Sequence, residues 1–145
     1  MTDLDHPIDP APGTWQRQHL DKYLATNGEE GHDWRGVPTL LLTTIGSQSG
    51  QARRTPLIYG ESDGRYLIVA SRGGTPGHPD WYRNLRAHPT VRLQVKGDQF
   101  NARARTATPD EKPALWKIMT QIWPDYDEYQ KKTTRAIPVV VLERV

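Results

Sequence analysis

Apolar and polar positions change period several times along this chain, and each change marks an element. Thr14–Thr26 sets Trp15, His19, Leu20, Tyr23 and Leu24 at helical spacing, and Gly28–Gly36 then ends the pattern. Thr39–Ile45 is a β-leaning run that closes on Gly46-Ser47-Gln48-Ser49-Gly50, which predicts a strand entering a turn. Arg54–Tyr59 predicts a second strand, Glu61-Ser62-Asp63-Gly64 a second turn, and Tyr66–Ala70 a third strand. Short connections between the three favour an antiparallel meander over parallel βαβ units.

Ser71–Pro79 is rich in Gly and Pro, and Pro79 suits the first turn of a short helix through His88. Thr90–Val95 and Phe100–Thr106 both alternate around Lys96-Gly97-Asp98, giving a hairpin with a basic face of Arg92, Arg103 and Arg105. Thr108-Pro109-Asp110-Glu111 has the form of a capping box before a helix carrying Leu115, Trp116, Ile118, Met119 and Ile122, with Pro113 delaying its regular start. A second box, Asp125 to Glu128, opens Asp125–Thr133, and Ile137–Leu142 predicts a last strand. About six strands and four helices in this order exclude a Rossmann sheet. They predict a mainly β, α+β fold: an antiparallel sheet curled into a small barrel with helices packed on it.

Composition adds limits. The 145 residues suit one domain; Met1–Gly13, with three Asp and three Pro, reads as a disordered lead-in, leaving 14–145 as the domain. The apolar run Val139–Leu142, like every other in the chain, falls far short of the ~20 residues of a membrane span. The first residues lack the apolar core of a signal peptide, so a cytoplasmic location is expected. Mean hydropathy is −0.76. The absence of cysteine excludes disulfides, thiolate catalysis and Cys–zinc sites. Charge is uneven: up to Leu42 there are three Lys/Arg against seven Asp/Glu, whereas Thr43–Arg105 has ten basic residues, all Arg except Lys96, against four acidic. Arginine predominates where planar anions are gripped at two points.

Several chemistries lack their residues. Gly46–Gly50 resembles a nucleophile elbow, but Gln48 stands where the serine belongs. No phosphate-loop or dinucleotide signature follows a strand, and the five histidines have no ligand spacing for a metal. The hairpin arginines lack the interleaved aromatics of a nucleic-acid stacking platform, so no nucleic-acid partner is expected. What stands out is Gly46–Leu57. Two glycines let backbone N–H groups of a turn converge on an anion, and hydroxyls add donors. Arg53 and Arg54 follow, and strand alternation turns them to opposite faces, so one of them lines the site.

Read with the downstream segments, the chain resembles the deazaflavin (coenzyme F420)-dependent nitroreductase family. The pattern Gly-x-x-Ser-Gly-x-x-Arg-x-x-Pro-Leu is matched by Gly46, Ser49, Gly50, Arg53, Pro56 and Leu57. Ala70-Ser71-Arg72-Gly73-Gly74 matches an Ala-Ser-basic-Gly-Gly element, and Pro79, Trp81, Tyr82, Asn84 and Leu85 match Pro-x-Trp-Tyr-x-Asn-Leu. His88-Pro89-Thr90-Val91, then Trp123–Gln130, then Arg135–Val140 continue the series in order. Each motif is weak alone; in register they are specific.

The resemblance implies a split β-barrel of the flavin-reductase type and an oxidoreductase passing a hydride from reduced coenzyme F420 to a quinone, nitroaromatic or activated enone. It implies that Ser47, Gln48, Ser49, Gly50, Arg53 and Arg54 border the phosphate end of the coenzyme, with Pro56 also in the cofactor site. Ala70, Ser71, Arg72 and Gly73 would lie along the ring and linker, with Trp81 and Asn84 beside the groove and the ring against Tyr66–Ala70. Trp123, Tyr126 and Tyr129 match an aromatic wall over the substrate; Ser71 would bond an acceptor oxygen and a tyrosine hydroxyl donate the completing proton. Ile58 stands where some relatives carry tyrosine. Ser47-Gln48 replaces a basic pair, with Arg54 as the expected compensation. FMN as cofactor, or a carrier without turnover, are the alternatives. The partner is a small-molecule acceptor; a quinone would invite membrane contact, for which the acidic N-terminal segment offers no basic anchor. Oligomeric state is not encoded in any of these motifs.

Overall fold

The computed structural model describes residues 4–145. In chain order the elements are α1 (Trp15–Ala25), β1 (Asp33–Trp34), β2 (Val37–Ile45), β3 (Ala52–Ile58), β4 (Gly60–Ser62), β5 (Arg65–Val69) and a 3-10 turn (Arg72–Gly74). Then come α2 (Asp80–Ala87), β6 (Thr90–Val95), β7 (Asp98–Thr106), α3 (Lys112–Ile122), α4 (Asp125–Lys131) and β8 (Val139–Arg144).

All strand pairings in the sheet are antiparallel, running β2-β6-β7-β8-β5-β4, with β3 on β2 from Thr39↔Ile58 to Ile45↔Ala52. Only Tyr59 separates β3 from β4, so Ala52–Ser62 is one bent strand that joins the two ends of the sheet. The result is a split barrel of about six strands, as the motifs and strand count imply. The expected meander is corrected at this bend: β5 lies beside β4 and β8, not beside β3. Short connections allow a bent strand as readily as a hairpin. At the bend Gly60 lies under α3, where an added Cβ would stand 2.6 Å from Met119 Sδ.

Period-two alternation decides the packing. Ile68 and Ala70 on one side, and Val140 and Leu142 likewise, fill the barrel with Leu40, Leu42, Leu93 and Phe100. Their neighbours Leu67, Val69, Val139 and Val141 face outward under Leu115, Met119 and Tyr126 of the last two helices. The strands buried on both faces therefore read as continuous apolar runs. On the far side Leu41 meets Leu20 and Tyr23 of α1. The Tyr23 hydroxyl accepts from Lys96 N–H (2.7 Å) and lies 3.1 Å from the Thr39 carbonyl, tying α1 to β2 and the β6–β7 turn.

Side-chain bonds mark the starts of two of the four helices, α1 and α3. Thr14 Oγ1 accepts from Arg17 N–H, and Thr108 and Glu111 exchange the two bonds of a capping box ahead of α3. The box expected at Asp125 is not formed: Pro124 occupies the N-cap of α4 without a side-chain bond. Asp127 instead accepts from Trp116 Nε1 at 2.7 Å. The expected lead-in is also part of the fold in its described portion. Ile8 bridges Arg53 in parallel, and Asp9 binds the Arg54 guanidinium at two points (2.9 and 3.0 Å). Met1–Asp3 lie outside the described residues. The basic face of the β6–β7 hairpin is largely neutralised, with Arg92 on Asp5 and Arg105 on Glu111 and Glu143.

Candidate active site

A cavity of about 360 Å³ opens beside the bent strand. Such a volume lies in the ordinary range of small-molecule and cofactor sites. Pro56, Leu57 and Ile58 of β3 form one wall, and Val69, Ser71, Arg72 and Gly73 form a second. Trp81 borders it from α2, while Trp123, Tyr126 and Tyr129 close it from the α3–α4 side. The residues assigned to acceptor and ring binding thus meet around one space. Ala70 does not join them, for its side chain is buried in the barrel core. Tyr66 likewise packs inward on Phe100 and Tyr59, so the strand meets the cavity only at its end, Val69.

Two hydroxyls face this space without a protein partner. Neither Ser71 nor Tyr126 makes a side-chain hydrogen bond among the described residues, although both residues are buried. The only buried side-chain polar atom there without a partner and closed off from solvent is His19 Nδ1, so these two oxygens are open to the cavity. Burial, with a small contribution from Tyr129, pushes the Tyr126 phenol well above the ordinary tyrosine range. It therefore stays a neutral O–H donor at physiological pH. Tyr129 is less free, since its oxygen sits 3.4 Å from Trp123 Nε1.

A third wall comes from residues that the motifs do not contain. Trp15, His19 and Trp34 line the cavity from α1 and β1. Trp15 stacks on Trp34 (5.6 Å between ring centres, 18° between planes), and Trp34 meets Trp123 at 5.7 Å. The sequence signal was the spacing of Trp15 and His19 one helical turn apart; Trp34, after the glycine-rich connection, carried none.

The Gly46–Gly50 turn lies at the start of β3, where a second, polar hollow of about 400 Å³ is lined by Ser47, Gln48, Ser49, Arg53, Asp80 and Arg83. Asn84 builds this turn. Its Oδ1 accepts from Ser47 N–H at 2.9 Å, and its Nδ2 lies 3.2 Å from Thr44 Oγ1. That buried amide is spent on the protein, so Asn84 shapes the hollow rather than presenting a free donor. Ser49 folds back over Gly46, where an added Cβ would come within 2.4 Å of the Ser49 hydroxyl, and Gly50 holds φ +70°. Gly46 and Gly50 N–H groups close the turn, while those of Gln48 and Ser49 have no partner among the described residues. Arg53 points here and Arg54 does not: Arg54 is engaged by Asp9 on the opposite face. The compensation expected of Arg54 is therefore not available, and the second cation in the hollow is Arg83 of α2, itself paired with Asp80.

Two partly buried histidines outside the cavity lining make the fold acid-sensitive. His78 accepts at Nδ1 from Arg135 (3.1 Å), and burial together with Arg135, Arg83 and Arg86 lowers its pKa. Burial and Lys96 lower that of His32, which bonds the Tyr59 hydroxyl at 2.8 Å. Both folded-state values lie under the ordinary ~6.5, so the unfolded chain binds more protons as that pH is approached from above. Their stabilisation is full above about pH 6.5 and is lost as the pH falls through the folded-state values. The melting temperature is expected to fall between about pH 7.5 and 5.5, and His78→Asn to flatten part of that slope; a profile flat over this interval contradicts the assignment.

Fold and site together define a split barrel with an aromatic-lined chamber beside the bent strand and a polar, glycine-bounded turn carrying Arg53 at the start of that strand. Residues 15–144 match the family described as F420H(2)-dependent quinone reductase. An F420H(2)-dependent quinone reductase of Mycobacterium tuberculosis (strain ATCC 25618 / H37Rv) is 42% identical over 132 residues, 88% of this chain and 89% of the relative. Among solved structures, an F420-H2 dependent reductase (FDR-A) shares 43% identity, with 73% of this chain and 94% of that chain covered and a TM-score of 0.68. Another, described as a domain-swapped dimer, shares 39% identity over 92% of this chain and 100% of its own, with a TM-score of 0.71. The chain belongs to the F420H(2)-dependent quinone reductase family. Coenzyme F420 is accordingly its cofactor and hydride transfer its reaction class, as the resemblance implied.

Proposed function

We propose that this chain transfers a hydride from reduced coenzyme F420 to a quinone held in the aromatic chamber. The observation that carries the site assignment is the distribution of unpaired arginines. Most arginines of the central block are committed to carboxylates, as Arg54, Arg65, Arg83, Arg92 and Arg105 are. Four have no ion pair among the described residues; of these Arg86 and Arg103 line neither hollow, and Arg53 and Arg72 each line one of the two. An anionic coenzyme with a flat ring fits that pair: Arg53 with the free N–H groups of Gln48 and Ser49 would hold the phosphate, and Arg72 the linker.

The coenzyme, when bound, supplies the hydride. The protein's own part is to bind, orient and stabilise charge. The aromatic walls from Trp15, Trp34 and Trp123 suit a planar acceptor. As a hydride adds to a quinone, negative charge develops on a carbonyl oxygen, and a proton must follow to complete the hydroquinone. Tyr126 and Ser71 carry the hydroxyls free to donate there. Tyr126, kept neutral by burial, acts first as a hydrogen-bond donor to that oxygen. With Ile58 in the chamber wall, the acceptor gains an apolar contact where a tyrosine would add a hydroxyl. A nitroaromatic or activated enone meets the same requirements of flatness and an oxygen that gains charge. The cysteine-free chain suits a reducing cytoplasm. No helix of the described residues is long and apolar enough to cross a membrane.

Fluorescence titration of the wild-type chain and Arg53→Ala with oxidised coenzyme F420 and with FMN tests the placement. Loss of a charge-assisted contact is expected to weaken F420 binding by roughly 1.5–3 kcal/mol, about 10- to 150-fold. Unchanged affinity in Arg53→Ala would remove the phosphate from this turn, and micromolar FMN binding without F420 binding would overturn the cofactor.

A further inference from the structure

Ser71–Gly73, one wall of the chamber, belongs to a loop, Ala70–Thr75, that carries a run of positive-φ residues. Arg72, Gly73 and Gly74 all have positive φ (45°, 64° and 83°). Within the segment only Gly74 N–H to the Ser71 carbonyl and Thr75 N–H to the Arg72 carbonyl hold it. The two glycines take this region freely, but Arg72 does not, and such a residue persists where surrounding structure over-determines it.

Arg135 supplies that constraint. Its Nη1 donates to the Ala70 carbonyl (3.2 Å), its Nη2 to Ser71 (2.7 Å) and its Nε to Thr75 (2.9 Å). One planar guanidinium therefore spans both ends of the loop, and no carboxylate among the described residues competes for it. The Arg135 backbone is pinned in turn by Gln130 of α4. Gln130 Nε2 donates to the Arg135 carbonyl at 2.8 Å, and its Oε1 accepts from Ile137 N–H at 2.9 Å. The same helix carries Tyr126 and Tyr129, and Gly74 packs directly on the Tyr129 backbone.

We propose that Arg135 is the positioning residue of this site: its guanidinium grips the carbonyls of Ala70, Ser71 and Thr75, and so holds the Ser71–Gly73 wall at a fixed spacing from the tyrosines of α4. The inference rests on the reading that Ser71–Gly73 border the bound coenzyme. Lysine cannot substitute, because a compact ammonium lacks the planar fork that reaches three separated carbonyls.

The test uses the full chain, as Arg135→Ala and Arg135→Lys, with three readouts. Amide hydrogen exchange without coenzyme reports the loop directly. Gly74 and Thr75 are expected to exchange about tenfold faster in both variants, while amides of β8 stay protected. Titration with oxidised coenzyme F420 is expected to show a dissociation constant raised about tenfold, the cost of ordering a loop no longer preorganised. Millimolar guanidinium is expected to restore much of both losses in Arg135→Ala, and none in Arg135→Lys. Unchanged exchange at Gly74 and Thr75 would overturn the proposal, as would deprotection spread equally over β8, which marks mere destabilisation. Faster loop exchange, rescued by guanidinium, with unchanged coenzyme affinity would leave Arg135 holding the loop but remove the coenzyme from that wall. The positioning role in the reaction would then fall with it.

Discussion

Tyr126→Phe is expected to lower kcat for menadione reduction by about 10²–10³-fold, the usual cost of deleting one donor aimed at developing negative charge. KM for the acceptor should change little, because the ring keeps its packing against Trp116 and Tyr129. Stability should also hold to within about 0.5 kcal/mol, since the lost hydroxyl has no protein partner to orphan. Tyr129→Phe is the matched control and should cost far less. Stopped-flow oxidation of reduced coenzyme by menadione separates the two. If Tyr126→Phe stays within a few-fold of the parent while Ser71→Ala does not, the donor is the serine. Because burial holds the phenol neutral, its contribution should not titrate away at neutral or mildly alkaline pH.

The second large effect is structural. In Gly74→Ala the new Cβ would stand 2.5 Å from the Tyr129 carbonyl oxygen and 2.9 Å from its Cα, at a φ of +83°. Left-handed backbone costs a side-chain-bearing residue about 1–2 kcal/mol, and overpacking against backbone roughly 1–3 more. A loss of about 2–5 kcal/mol is expected in urea or thermal unfolding. The cheapest relief moves α4 off the loop, so kcat/KM should drop as well, by about 10²-fold. Gly73→Ala provides the contrast. It has φ +64° but nothing within 4 Å of the added Cβ, so only the conformational part applies. Equal losses at the two positions would show that crowding against Tyr129 does not matter.

Much of the barrel was legible because its signals are local. Alternation in Leu67–Ala70 and Val139–Leu142 encodes two packed faces. Thr14 and the Thr108–Glu111 pair mark helix starts by their own side-chain chemistry. Alternation also told that Arg53 and Arg54 must part company. Which of them faced the hollow depended on Asp9, 45 positions away in the chain, and no local pattern records such a partner. The same holds for Asn84, whose tie to Ser47 crosses 37 positions, and for Trp34, which enters the chamber only because α1 and β1 fold over it. The bend at Tyr59 was missed because nothing in Arg54–Ser62 distinguishes a kinked strand from a hairpin until α3 is placed on Gly60.

That bend has a consequence for how the molecule resists breakage. The bent strand is the barrel's seam, and on its β4 side only three residue pairs fasten it to β5. Pro56–Ile58 of the same strand line the chamber. A ligand seated there touches both the seam and the opposite wall, and so acts as a latch across the weakest closure of the barrel. Saturating coenzyme should therefore slow proteolytic nicking around Tyr59–Tyr66 more than nicking elsewhere.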